Sequence, residues 1–240
     1  MLTGNNHPTI GIIGAMASEV EYIKQRLTDT DTATISGIAF VTGNFGRLRC
    51  VVAVCGIGKV FAAICAQTMI LSYHPDFMVN IGVGGSLTQG LEIGDIAIAT
   101  TVVQHDMDTS PLGDPVGLIS GINIIHFPCA AEYTDAFADA AGQVGVHWKK
   151  GTIASGDCFV GDSSKKQTIA ERFDAIVCEM EGGSIGHVCY VNGIDFCVLR
   201  AVSDNGDENA NQDYPAALAL ASGNALKVLE AFLTRLEAMN

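Results

Sequence analysis

The segment from Cys178 to Asp207, CEMEGGSIGHVCYVNGIDFCVLRAVSDNGD, holds two apolar runs that each finish in acid. Ala175 to Cys178 reads as the end of a buried strand that stops at Glu179-Met180-Glu181. Gly182-Gly183 lets the backbone turn at once into a helix, because glycine has no Cβ to obstruct the turn. Phe196 to Leu199 is a second buried strand, and it runs on to Ser203-Asp204. Ligands of open parallel α/β sheets bind just outside the carboxyl ends of the strands. Two neighbouring strands that deliver carboxylates there predict a site.

A chain of 240 residues suits one large α/β domain spanning 1–240. Hydrophobic residues at 48% and 27 glycines fit a compact sheet with many tight turns. A formal charge of −13 repels nucleic acid and anionic membrane alike, and Lys149-Lys150 and Lys165-Lys166 are too short for a basic stripe. No apolar run reads as a membrane span and the opening MLTGNNHPTI does not read as a signal peptide, so a cytoplasmic location is expected. Of eight cysteines, Cys50, Cys55, Cys65, Cys178 and Cys197 lie in apolar runs and none forms a C-x-x-C pair, which predicts reduced core thiols.

In chain order, Thr9 to Gly14 is a strand, followed by a helix through Leu27 that Ser18 can cap. Residues 35–54 read as a meander of Ile38 to Thr42 and Leu48 to Val54. Cys55-Gly56-Ile57-Gly58-Lys59 opens a helix that Pro75 ends near His74. The G-x-x-x-x-G-K-[ST] spacing is missing and Val60 stands where magnesium needs a hydroxyl, which excludes a nucleotide triphosphate loop. The strand Phe77 to Ile81 ends in the cluster Gly82 to Ser86, either a packing turn or a place where a ligand meets backbone. A strand from Gly94 to Thr101 precedes an irregular segment, Gln104 to Pro128, long enough to suggest a functional or partner-docking loop. His105, Asp106 and Asp108 within it lack a distant fourth ligand, so no metal and no cofactor is expected. A helix from Ala130, a strand from Val146 to Ala154, a turn at Ser155 to Val160 and a helix through Ala170 lead back to the opening segment. A polar loop, Glu208 to Asp213, then precedes a terminal helix from Tyr214.

Taken together and in order, GIIGAMASE, CGIGKV, GVGGSL, GDI, HDMD, SGDCF, CEMEGGSIGHV and RAVSDNGD resemble the methylthioadenosine/S-adenosylhomocysteine nucleosidases of the nucleoside phosphorylase superfamily, collinearly from Ile10 to Tyr214. The resemblance implies a three-layer α/β/α sandwich with a central mixed sheet, a homodimer, and hydrolysis of the N-glycosidic bond of 5′-thioadenosine nucleosides. It gives Glu19 the activation of water, Asp204 the protonation of adenine N7 with Ser203 beside it, and Glu181 the ribose hydroxyls. Met180 then packs on the sugar, Phe159 stacks on adenine and the Val160 backbone reads the base edge. Met16, Ile57 and Tyr214 line the ribose and 5′-thio pocket, Arg200 sits near the water, and Leu112 reaches the partner subunit's pocket. Val83 stands where some relatives have Ser, and Asp114 where some have an aromatic, which leaves the 5′ preference open.

Singly, Glu181 reads as a helix N-terminal acid, Asp204 as a turn former, Phe159 as core and Arg200 as a partner for Glu179. In collinear order they read as a site. Adenine leaves only once N7 is protonated, and the cation-like sugar must be captured by water from its other face, so two separated acids are required. A phosphorylase needs cations for its phosphate, for which Arg47 and Arg49 are the candidates. A non-catalytic nucleoside-binding protein needs no water-activating acid.

Overall fold

The computed structural model describes residues 8–239; the first residues of the opening MLTGNNHPTI lie outside them. In order they form β1 (Thr9–Gly14), α1 (Ala17–Arg26), β2 (Thr28–Ile35), β3 (Ile38–Phe45), β4 (Leu48–Val54), α2 (Lys59–Tyr73), β5 (Phe77–Ser86), β6 (Ile96–Gln104), β7 (Phe127–Pro128), α3 (Ala131–Val144), β8 (Trp148–Ser155), α4 (Ser163–Phe173), β9 (Ala175–Glu179), α5 (Gly182–Asn192), β10 (Asp195–Asp204) and α6 (Ala210–Met239). One mixed sheet runs β10-β6-β8-β9-β5-β1-β4-β3-β2, and an additional β10–β5 pairing closes its first five strands on themselves. Helices α1, α3 and α6 bury one face and α2 and α5 the other, the expected three layers. The first layer centres on stacked aromatics, with Phe77 against Tyr133 at 3.7 Å and Phe137 against Phe232 at 3.8 Å.

Several expectations change. β9 and β10 are not neighbours: β10 runs parallel to β5, while β9 meets β5 antiparallel at Gly85 and Ser86. Their ends converge because the sheet closes between them. The glycine cluster is not a turn: Gly82 to Ser86 are the last residues of β5, which runs on as strand through Ser86. β2, TDTDTATI, escaped the apolar pattern because it is an exposed edge strand, with no buried residue to mark it. Ser18 lies inside α1, whose N-terminal cap position is Met16.

α6 begins at Ala210, four residues before the expected Tyr214, and carries Pro215 within it. By length and composition alone it passes for a membrane-spanning helix, contrary to the sequence reading. In the fold, Ala221, Ala225, Val228, Leu229, Phe232 and Leu233 of this helix are buried against the sheet. All eight cysteines are free, and only Cys158 is not buried.

Candidate active site

A cavity of about 300 Å³ opens where the closed part of the sheet meets β1, lined by Met16, Glu19, Ile57, Phe159, Val160, Met180, Glu181, Ser203, Asp204 and Tyr214 among others. Ten of the twelve residues singled out in the sequence therefore share one wall. Arg200 lies beneath the cavity rather than on it, and Leu112 stands apart, 85% exposed, in a short 3-10 turn. Ala15, Val83, Gly84, Gly85, Cys158, Cys178 and Glu179 complete the lining. Gly84 and Gly85 belong to the glycine cluster read above as a possible place for a ligand to meet backbone, Glu179 is one of the acids that end a buried strand, and the others flank a motif residue.

Glu19 sits in the first turn of α1 and folds back over the helix start. Its Oε2 accepts from the amides of Ala15 at 2.7 Å and Met16 at 2.9 Å, and its Oε1 from Val83 at 3.2 Å. The Ala15 and Met16 amides lie at the start of α1, where no intrahelical partner is available, and the Val83 amide belongs to β5. Burial raises the Glu19 pKa, against the lowering influence of Arg200 and the three amides. That combination makes a fixed, hydrogen-bonded carboxylate that is also a stronger base.

Asp204 ends β10, where Ser203 Oγ donates to it at 2.8 Å and the Gly206 amide at 2.9 Å. It is 2% exposed, and burial is the main cause of its raised pKa. The glycines of β5 now have a reason. A Cβ on Gly82 would lie 2.7 Å from Glu19 Oε1, and one on Gly85 2.7 Å from Asp204 Oδ1. Only glycine lets each acid approach the strand. Gly82 and Gly85 are three residue steps apart on β5, roughly 10 Å, so the two acids meet the strand at separate points.

Glu181 precedes α5, and its Oε1 accepts from the Gly58 amide at the start of α2 at 2.9 Å. Burial first, and the neighbouring Glu179 second, push its pKa up to about 7. Phe159 is half exposed at the mouth and packs edge-on against Tyr214, with ring centroids 5.8 Å apart. The Tyr214 hydroxyl lies 3.4 Å from Met16 Sδ.

Arg200, 1% exposed, pairs with Glu179, and its Nη2 lies 2.5 Å from Asn80 Oδ1 and 3.6 Å from Glu181 Oε2. The choice left open by the sequence falls to the ion pair: Arg200 reaches the cavity only through its carboxylates. One guanidinium serves three buried acids, so Arg200→Met should cost about 3–5 kcal/mol of stability by stranding them, read as a lowered urea midpoint. A shift below about 1 kcal/mol would contradict the pairing.

The loop acids have protein partners. Asp106 pairs with Lys59 at 2.6 Å, and Asp108 accepts from the Ser110 amide at 2.8 Å. Asp114 accepts from Thr109 and Ser120 and stands away from the cavity. Among the described residues no group of three His, Cys, Asp or Glu is arranged to hold a metal ion.

Comparison with known proteins places this geometry. The profile of the Phosphorylase superfamily matches residues 9–234. The 5′-methylthioadenosine/S-adenosylhomocysteine nucleosidase of Shewanella oneidensis is 35% identical over 230 residues, 95% of this chain and 97% of that protein. The nucleosidase of the same name from Neisseria meningitidis, solved with methylthio-immucillin-A, is 30% identical and superposes with a TM-score of 0.91, covering 95% of this chain and 99% of that one. Futalosine hydrolase of Helicobacter pylori is 33% identical with a TM-score of 0.91, over 95% and 98%. The chain belongs to the phosphorylase superfamily and, within it, to the family of 5′-methylthioadenosine/S-adenosylhomocysteine nucleosidases.

Proposed function

We propose that the protein hydrolyses the N-glycosidic bond of 5′-methylthioadenosine and S-adenosylhomocysteine, releasing adenine and the thioribose. The observation that carries this reading is one cavity lined by four buried carboxylates, of which Glu179 is paired with Arg200 and Glu19, Glu181 and Asp204 remain for the substrate, with Phe159 at its mouth. Asp204 protonates adenine N7 and so turns adenine into a leaving group. Glu181 accepts from the ribose hydroxyls, and its charge stabilises the cation-like sugar. Glu19 takes a proton from the water that captures C1′. Phe159 covers the base, Val160 offers backbone to its edge, and Met16, Met180, Ile57 and Tyr214 pack the sugar and its 5′ substituent.

Phosphorolysis finds no support at the site. Among the described residues lining the cavity there is no Lys or Arg. Arg47 donates to the Glu237 carbonyl at 3.1 Å, and Arg49 pairs with Thr9 at the start of β1, the far end from Gly14. Chromatography of 5′-methylthioadenosine, S-adenosylhomocysteine and futalosine reactions, with and without phosphate, tests the reading. Adenine from the first two in phosphate-free buffer supports it, release that requires phosphate overturns it, and hypoxanthine from futalosine alone reassigns the substrate.

The pH profile of kcat/KM should be bell-shaped. The reactive form has Glu19 and Glu181 ionised, both with raised pKa values, so activity falls on the acid side, through about 7 for Glu181. It also has Asp204 protonated, so activity is lost as pH rises through that residue's raised pKa. The linkage to folding has the opposite sign at Glu181. A pKa raised from 4.5 to about 7 favours the folded state at low pH, a contribution lost as pH rises across that window. An acid limb near pH 4.5 would contradict the assignment.

A homodimer belongs to the same reading. Val60, Phe61, Ile64 and Leu71 leave an exposed apolar stripe along α2, and exposed Leu112 is free to reach a second subunit. A dimer mass in sedimentation, reduced to a monomer by Ile64→Asp, is the expected result. The eight free thiols support a reducing, cytoplasmic setting.

A further inference from the structure

We propose that Glu179 is a positioning residue that fixes the Glu181 carboxylate at the sugar end of the cavity and holds Arg200 away from it. The inference rests on the nucleosidase reading only in assigning the sugar to Glu181.

Glu179 closes β9 and gathers donors from three further elements. Its Oε1 accepts from Ser155 Oγ at the end of β8, and its Oε2 from Arg200 on β10. The same Oε2 accepts from the amides of Glu181 at 3.0 Å and Gly182 at 2.7 Å. Those two amides open α5, so one side chain fixes both the backbone of Glu181 and the direction in which its carboxylate leaves.

The two glycines that follow are part of the device. A Cβ on Gly182 would lie 3.3 Å from both Glu179 oxygens and 2.9 Å from Val198 Cγ1, and one on Gly183 2.8 Å from Ser155 Oγ. The EMEGG motif thus reads as an anchor, a spacer, a working acid and two residues small enough to wrap the anchor.

Arg200 Nη2 shows what the arrangement controls. It pairs directly with Glu179 but stays 3.6 Å from Glu181 Oε2. A carboxylate gripped by a guanidinium is a poor acceptor for two hydroxyls, whereas the Glu181 carboxylate takes a direct hydrogen bond from the Gly58 amide, keeps Arg200 at the longer ion-pair distance and faces the cavity. The charged and titratable groups around Glu181 are Glu179 on β9, Arg200 on β10, Glu19 on α1, Cys55 after β4 and Tyr214 on α6. Of these, Glu179 raises the Glu181 pKa most and Arg200 lowers it most.

Two substitutions separate charge from reach. Glu179→Gln keeps the length, removes the charge and frees Arg200 for Glu181. Glu179→Asp keeps the charge but withdraws it from the α5 amides. Carbon-13 NMR of glutamate-labelled protein, with Glu181→Gln for assignment, reads the titration of Glu181. Kinetics on 5′-methylthioadenosine and its 2′,3′-dideoxy analogue read discrimination for the hydroxyls.

In Glu179→Gln the Glu181 midpoint and the acid limb of kcat/KM should both move down by about one pH unit or more, and the preference for hydroxyls should shrink. In Glu179→Asp the midpoint should stay while hydroxyl preference and kcat/KM drop about ten-fold or more. An unmoved midpoint in Glu179→Gln, or wild-type discrimination in Glu179→Asp if the first variant does not fold, overturns the proposal. Wild-type protein that releases no adenine would overturn the nucleosidase reading instead, and the NMR titration of Glu179→Gln would still decide the coupling.

Discussion

Asp204→Asn should lower kcat for adenine release by ~10²–10⁴-fold with little change in KM or thermal midpoint. Asparagine matches aspartate in size, so the question is whether its polar atoms fit the same partners. The Gly206 amide donates to Oδ1 and would donate equally to the amide oxygen. Ser203 Oγ, which donates to Oδ2, also lies 3.3 Å from the Gly84 carbonyl. It can turn its hydrogen to that carbonyl and accept from the new NH2. The variant therefore keeps its fold and can still hydrogen-bond N7, but it has no proton to give. Loss in kcat at constant KM is the mark of an interaction made in the transition state. A fall confined to KM, or a rate near wild type, would remove Asp204 from its role.

Glu19→Gln should cost a similar factor in rate but also lower the thermal midpoint, and this difference separates the two acids. Three amides converge on the Glu19 carboxylate, two on Oε2 and one on Oε1. Glutamine has one acceptor atom. If its oxygen serves Ala15 and Met16, its NH2 faces the Val83 amide, donor against donor, and a buried N–H is left unpaired at about 1–3 kcal/mol. Glu19 thus ties the start of α1 to β5, in addition to the water-activating role proposed for it. Differential scanning calorimetry beside the assay should show both losses in Glu19→Gln and only the catalytic one in Asp204→Asn. Unchanged melting in both would contradict the three-amide anchor.

What the sequence revealed follows the apolar pattern. The buried strands β1, β4, β9 and β10 and helix α2 were legible because each packs a continuous apolar run or stripe, and Pro75 marked the end of α2, where His74 takes a left-handed conformation. β2 was hidden because neither of its faces is buried. Closure of the sheet was illegible in principle, since the antiparallel contact of β9 with β5 spans only two residue pairs. That contact and the parallel pairing of β10 with β5 bring the ends of β9 and β10 together, so the candidate site was inferred through the wrong adjacency.

The acids themselves were legible because each follows an apolar run. Their environment was not. Nothing in GVGGSL says that Gly82 and Gly85 make way for Glu19 and Asp204, because that clearance depends on α1 and β10 as well as β5. Arg200 shows the reverse case. The family pattern put it beside the water, and its burial put it under the carboxylates.

The central claim is that Glu19 directs water, and not phosphate, at C1′. The most direct test is turnover of 5′-methylthioadenosine in oxygen-18 water with phosphate present, followed by mass spectrometry of the sugar product. The account predicts one oxygen-18 atom in each methylthioribose formed and no dependence of the rate on phosphate. An unlabelled sugar 1-phosphate would contradict it.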